Sequence, residues 1–387
     1  MKVGDRMRLL KPSGTLAMAE KAREVAKTGK KVLHLEVGEP DFGTPSHISE
    51  AAYEAMRNNF THYTSSRGML ELREAISDYL KNVGVEADPE KEIIATPGSK
   101  YGIYCACVAT LNPGDEVLVL SPTWPTHFTC IEFVQAKPVE VPCGEAFRLD
   151  EEALKERITG KSKMIMLCSP NNPTGGVLAS KDLNAISEIA EDHELLVLSD
   201  EIYNRIVYDG LEIRSMASYE NIRDQVILVN GFSKTYAMTG WRLGYVFAEE
   251  TIIEAINRIV QTSTTCPASF VQKAGVTALK GPQDCVTDMV EKYNRRRRSI
   301  VQKLNEIPQI HCEMPKGAFY VFPNFSSLDM PSLDLSIKLL EEKGVCSTPG
   351  SVFGEYGKGY IRFSYANSLD VISEAMEKTK EFVLEYS

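Results

Sequence analysis

The chain has 387 residues, of which 43 are Lys or Arg and 53 are Asp or Glu, for a formal charge of −10. Hydrophobic residues make up 43% and charged residues 25%, the balance of an ordinary folded protein, so disorder, collagen and fibrous repeats are excluded. The acidic balance argues against a protein that grips nucleic acid through its phosphates, and the length suits two domains whose core needs neither disulfide nor metal.

The opening residues, Met1 to Arg6, lack the apolar run of a secretory leader, and no apolar segment approaches the ~18–20 residues that span a bilayer. The nine cysteines are odd in number and scattered, with no Cys-x-x-Cys pair. That usage predicts a reducing compartment, the cytoplasm. Cys105 and Cys107 sit in an apolar helical stretch and read as small core residues.

Further along, short apolar runs alternate with helical stretches. The runs are residues 92–96, 116–120, 163–168, 195–199, 225–230 and 243–248, with helices predicted over 100–111 and 181–193. The runs lack polar/apolar alternation, as strands do when both faces of a sheet are covered. This predicts an α/β fold, a mostly parallel central sheet with helices on both faces. After about Lys280 the rhythm changes. A long charged helix is expected over 284–306, and its run Arg295–Arg298 is expected on a solvated face because acidic residues flank it. The segment 317–322, a helix near 333–343, a strand at 360–365 and a closing helix make a smaller α+β domain.

Several motifs fail. Gly354, Gly357 and Gly359 do not fit G-x-G-x-x-G, and Lys155 occupies the place of the first P-loop glycine before Gly160-Lys161-Ser162. The six histidines show no metal-ligand spacing, and neither His62 nor His127 is given a role. Other residues gather where the predicted strands end, which is where open α/β sheets bind ligands. Gly98-Ser99-Lys100 opens a helix and offers an anion cup. Trp124 follows the next strand, and Asn172 follows the third in a sharp turn. Asp200, after a buried strand, would be a buried carboxylate in need of a cationic partner. Lys234 follows the next strand and has the chemistry of a Schiff-base nucleophile.

Taken in order, these stretches resemble one family, the class I/II aminotransferases, pyridoxal-phosphate enzymes of fold type I. The resemblance rests on Gly38-Glu39-Pro40-Asp41-Phe42, His62-Tyr63-Thr64, Asn172-Pro173-Thr174-Gly175, Asp200-Glu201-Ile202-Tyr203, Ser233-Lys234 with Gly240-Trp241-Arg242-Leu243-Gly244, and Arg362-Phe363-Ser364. It runs from about Leu9 to the end. It implies that Lys234 bonds to pyridoxal 5′-phosphate as a Schiff base and shuttles the substrate proton, and that Asp200 pairs with the ring nitrogen. Tyr203 and Asn172 would bond the ring oxygen, and Trp124 would stack on the ring. The backbone of Gly98, Ser99 and Lys100, with Ser233 and Arg242, would hold the phosphate. Tyr63 would reach the neighbouring subunit's phosphate, which implies a homodimer with shared active sites. Arg362 would clamp the substrate α-carboxylate beside Gly38, with Trp124 and Asn172 also lining the substrate site. No metal, nucleic acid or membrane partner is implied.

Substrate choice follows from Lys11-Pro12-Ser13-Gly14-Thr15, which resembles bacterial-type aspartate aminotransferases. There Ser13, Thr15 and Lys100 would recognise a side-chain carboxylate. The expected reaction moves an amino group between aspartate and a 2-oxo acid such as 2-oxoglutarate. Two departures, Ser99 where the subgroup has Gly and Trp124-Pro125-Thr126-His127, keep aromatic or aliphatic amino acids and prephenate open; a lyase outcome also stays open, because lyases similar to this family retain the residue that matches Arg362. An effector domain of a transcription regulator would need an added DNA-binding segment before Leu9. The expected division is a large cofactor-binding domain over 46–284 and a small domain formed by 1–45 with 285–387.

Overall fold

The computed structural model describes residues 4–8, 10 and 14–386. Its strands are β1 (Leu33–His34), β2 (Ile93–Thr96), β3 (Glu116–Ser121), β4 (Lys137–Pro142), β5 (Ser162–Cys168), β6 (Leu196–Asp200), β7 (Val226–Gly231), β8 (Gly244–Phe247), β9 (Tyr320–Val321), β10 (Val345–Cys346), β11 (Thr348–Pro349) and β12 (Ile361–Ser364). Seven of them form one sheet in the order β2-β8-β7-β6-β5-β3-β4.

Successive side chains of a strand point to opposite faces. Ile93, Leu118, Ile165, Val197 and Leu228 enter one core with the helices Leu70–Lys81, Ser180–Asp192 and Ser269–Lys280. Their neighbours Ile94, Val117, Met164, Leu198 and Ile227 enter another with Ser99–Thr110 and Glu250–Ser263. Both faces are dry, which is why the strands read as unbroken apolar runs. Cys105 and Cys107 are fully buried in the second core.

Two features differ from the sequence reading. β4 is an additional edge strand, pairing parallel with β3. Its sequence KPVEVP, with prolines at its second and last positions, suits an edge that need not donate every hydrogen bond. β8 runs antiparallel to both β7 and β2. A parallel return needs a crossover of a dozen or more residues, usually a helix. The segment 232–243 contains only a short 3-10 turn, Thr239–Trp241, so the chain reverses at the sheet edge.

A third core lies past the carboxyl ends of the strands. It combines Phe319, Val321, Ile361 and Phe363 with Ile300, Leu304, Leu335, Leu339, Ile372 and Phe382, and also takes in Ile202, Tyr203, Ile206 and Tyr208. Its sheet is antiparallel, β11-β12-β9, beside a parallel β1-β10 pair. The arginine run corrects an expectation. Of the four arginines in the helix Asp284–Asn305, only Arg295 and Arg298 are exposed. Arg297 is 1% exposed and falls on the helix face of Tyr293, Ile300 and Leu304. Its guanidinium donates to both oxygens of Asp209 (2.8 and 2.7 Å) and to the Pro315 carbonyl (2.8 Å), over the Tyr208 ring. Arg296 grips Asp41 through two bonds of 2.7 and 2.8 Å.

Removing Asp209 leaves a buried guanidinium without its counter-charge. Because Asp209 itself is half exposed, Asp209→Ala is expected to cost about 2 kcal/mol, below the range for wholly buried pairs. Hydrogen bonding to Arg297 holds the Asp209 carboxyl below the ordinary carboxylate range. The contribution is therefore complete at neutral pH and fades as the pH falls through that depressed value. Urea unfolding of both proteins at pH 7 and at pH 3 checks the difference and its loss.

Candidate active site

The carboxyl ends of β2, β3, β5, β6 and β7 open on one cleft. After β2, Gly98 precedes the helix Ser99–Thr110 with φ +86°. The backbone therefore favours glycine, and a Cβ there would push the Arg242 guanidinium aside. Arg242 reaches this place because β8 turns back beside β2, with Thr96 opposite Gly244. Arg242 donates to the Thr239 carbonyl (2.8 Å). The Lys100 ammonium lies 4.9 Å from the centre of the Trp124 ring. Partial burial, then the Arg242 charge, lowers its proton affinity.

β6 delivers Asp200 into the interior. One oxygen accepts from the Ile202 N–H (3.2 Å) and the other lies 3.2 Å from His127 Nε2. His127 is fully buried in the first turn of the helix Pro125–Phe133, and its Nδ1 lies 3.0 Å from the Thr123 hydroxyl. With Nε2 protonated and donating to Asp200, Nδ1 accepts from Thr123, and the ring is fixed at both ends. His127 is a site residue to which the sequence reading assigned nothing. Its only sequence signal is its position three residues after Trp124 at a strand end.

β7 leads to Ser233, which is buried, and Lys234. The Lys234 amine donates to the Gly38 carbonyl (2.5 Å). Burial lowers its pKa to about 8, with Glu39 and Asp200 opposing and Arg362 and Arg242 assisting. Arg362 on β12 is buried. It donates to Asn172 Oδ1 (2.9 Å), to the Thr348 hydroxyl (3.2 Å) and to the Glu36 carbonyl. Its Nε is buried without a partner. Tyr203 is buried, and its hydroxyl lies 2.8 Å from that of Tyr320, another residue absent from the sequence motifs.

Strand ends thus bring together Gly98, Ser99, Lys100, Trp124, Asn172, Asp200, Tyr203, Ser233, Lys234 and Arg242, with Gly38 and Arg362 meeting them from the third core. Thr15 is half-buried in the first turn of the helix Gly14–Lys27. Ser13 lies outside the described residues. Tyr63 is 85% exposed, apart from this cluster. Among the described residues no group of three His, Cys, Asp or Glu could hold a metal ion, and no helix is long and apolar enough to cross a membrane.

Residues 30–378 match the family described as aminotransferase class I and II. The chain belongs to that family. It is 41% identical to the aspartate aminotransferase of Pyrococcus abyssi and 38% identical to aromatic-amino-acid aminotransferase 2 of Thermococcus litoralis, each match covering 100% of this chain and 99% of the relative. The solved aspartate aminotransferase from Thermus thermophilus with maleate is 35% identical, with a TM-score of 0.94 over 98% of this chain and 99% of that one. The α/β architecture expected from the sequence is therefore the fold of class I and II aminotransferases, and this protein is an aminotransferase.

A lysine that titrates near 8 differs measurably from surface lysines near ~10.4. In reductive methylation with limiting formaldehyde, the Lys234 rate is expected to level off above about pH 8, while surface lysines keep gaining about tenfold per pH unit. Peptide mass mapping across pH checks this, and a Lys234 rate that climbs in step with the rest would contradict it.

Proposed function

We propose that this cleft binds pyridoxal 5′-phosphate and transfers an amino group between aspartate and a 2-oxo acid such as 2-oxoglutarate. One observation carries the reading. Lys100, Lys234, Arg242 and Arg362 gather in one cleft and are held by carbonyls, an amide oxygen, a hydroxyl and a ring face, with no carboxylate ion-paired to them among the described residues. Positive charge gathered in a cleft draws anions to it. A cofactor phosphate and the two carboxylates of a dicarboxylic amino acid are such anions.

The residues suit that cofactor. Gly98 leaves its backbone open beside Arg242, and the helix start there offers free N–H groups. The backbone of Gly98, Ser99 and Lys100, with Ser233 and Arg242, would hold the phosphate, Trp124 would stack on the ring, and Asn172 and Tyr203 would bond its oxygen. Asp200, buried and fixed by His127, would pair with the ring nitrogen. Pyridoxal phosphate supplies a ring that takes up the electron pair left when the substrate Cα–H bond breaks.

The remaining work falls to the chain's own side chains. Arg362 binds the substrate α-carboxylate, and its unpartnered Nε is a donor a carboxylate can use. Gly38 lends its backbone alongside. Lys234 Nζ takes the Cα proton and returns it, a task for which an amine titrating near 8 is well matched. Lys100, with Ser13 and Thr15, receives the side-chain carboxylate. The Trp124 ring beside Lys100 favours a second reading, in which an aromatic side chain occupies the same place; the Thermococcus litoralis relative bears a name of that kind. The proposal extends to a cytoplasmic homodimer in which exposed Tyr63 completes the neighbouring site, and to a cofactor-binding domain over 46–284 facing a small domain of 1–45 and 285–387.

Two measurements bear on this. Borohydride treatment of the protein with pyridoxal phosphate is expected to fix the cofactor on Lys234, and Lys234→Ala to lose at least about a thousandfold in turnover. Labelling at another lysine would sink the assignment. Lys100→Ala is expected to lower kcat/KM for aspartate about tenfold or more while leaving an aromatic substrate nearly unchanged. Intact aspartate turnover would move the reading to the aromatic alternative.

A further inference from the structure

Tyr320 touches three parts of the cleft at once. It is 1% exposed and opens β9, opposite Ser364 of β12. Its hydroxyl lies 2.8 Å from the Tyr203 hydroxyl. Its ring face lies 4.5 Å from the Arg362 guanidinium. Its oxygen packs against Gly38, where a Cβ would collide with it, and Gly38 is the residue whose carbonyl receives Lys234. The Tyr203 ring sits edge-on to both Phe319 and Tyr320, at 5.6 and 5.8 Å.

A phenol carries one proton, so only one of two paired phenols can donate across their shared bond. If Tyr203 donates inward, its proton is used inside the protein and the cleft meets only a lone pair. If Tyr320 donates, the Tyr203 proton is left for the cleft. The charge of Arg362 on the Tyr320 ring decides the direction. It draws electron density from that ring and makes Tyr320 the stronger donor, and its field lowers the proton affinity of Tyr320 against the effect of burial. Burial pushes the Tyr203 hydroxyl well above the ordinary phenol range, and there the Arg362 field has the least effect.

We propose that Tyr320 is a positioning residue, whose hydroxyl donates to Tyr203 and so turns the Tyr203 proton into the cleft, while its ring face steadies the Arg362 guanidinium. The proposal rests on the reading that the cleft holds pyridoxal phosphate. It assigns separate tasks to the hydroxyl and the ring, which Tyr320→Phe and Tyr320→Leu separate. The charged and titratable groups facing this pair and Lys234 are Glu39, Cys168, Asp200, Arg242 and Arg362, and all remain in every variant.

The test uses purified protein loaded with pyridoxal phosphate and reads two quantities besides turnover. The first is the pH midpoint of the absorbance change that reports protonation at the Lys234 linkage. The second is the dissociation constant of maleate. A phenol proton aimed at the cofactor oxygen stabilises its anionic form and keeps the midpoint low, so losing that aim raises it. Tyr203→Phe is expected to raise the midpoint most, and Tyr320→Phe by about half a unit. The double variant is expected to match Tyr203→Phe alone, because Tyr320 acts through Tyr203. Maleate affinity is expected to hold in Tyr320→Phe and to weaken about fivefold in Tyr320→Leu. A wild-type midpoint in Tyr320→Phe, or additive shifts in the double variant, overturns the hydroxyl's task. Equal maleate loss in both Tyr320 variants overturns the ring's. If the unsubstituted protein forms no absorbing linkage at Lys234, the cofactor reading itself falls, and this inference with it.

Discussion

Four cations share one cleft, and no carboxylate is ion-paired to any of them among the described residues. Lys234 leans on a backbone carbonyl, Arg242 on another, Arg362 on an amide oxygen, a hydroxyl and a carbonyl, and Lys100 on an indole face. Neutral acceptors hold these groups in place without cancelling their charge, so the cleft keeps its attraction for anions. Carboxylates exist nearby, yet each is committed elsewhere. Asp200 is held by His127, and Glu39 accepts from the Thr239 hydroxyl. The whole chain carries a formal charge of −10, and its cationic cleft owes nothing to that total.

This arrangement depends on how the sheet is wound. Parallel strands point their carboxyl ends the same way, so the residues that follow β2, β3, β5, β6 and β7 meet at one edge. The reversal at β8 adds to it. Because 232–243 cannot cross over, Lys234 enters the loop and Arg242 leaves it at the same edge, and pairing with β2 sets Arg242 against Gly98. The third core closes the cleft from outside. Burial of Ile202, Tyr203 and Ile206 in that core, together with the Tyr203–Tyr320 bond, ties the strand ends to the sheet that carries Arg362.

Much of this could be read in the chain. Apolar runs without alternation predicted a doubly covered sheet, because side chains on both faces must be dry. The strand-end residues predicted the cleft, because local pattern places them at known ends of known elements. The arginine run was misjudged, since flanking acidic residues describe a helix's average surroundings and not which of its faces is buried. Arg297 falls on the inner face because Tyr293, Ile300 and Leu304 share its helical position. β4 escaped notice because an edge strand with prolines carries a weaker signal than a buried one.

The sequence alone determined the order of the buried central strands, the glycine at Gly98, and the identity of the groups that meet at the sheet edge. These are properties of residue type and local spacing. The tertiary structure decided which partners those groups take. His127 on Asp200, Tyr320 on Tyr203 and Arg362, and Gly38 on Lys234 join residues 73, 117, 42 and 196 positions apart. No local period links such distances, and only the packing of the third core against the sheet edge brings them within hydrogen-bond and ring contact.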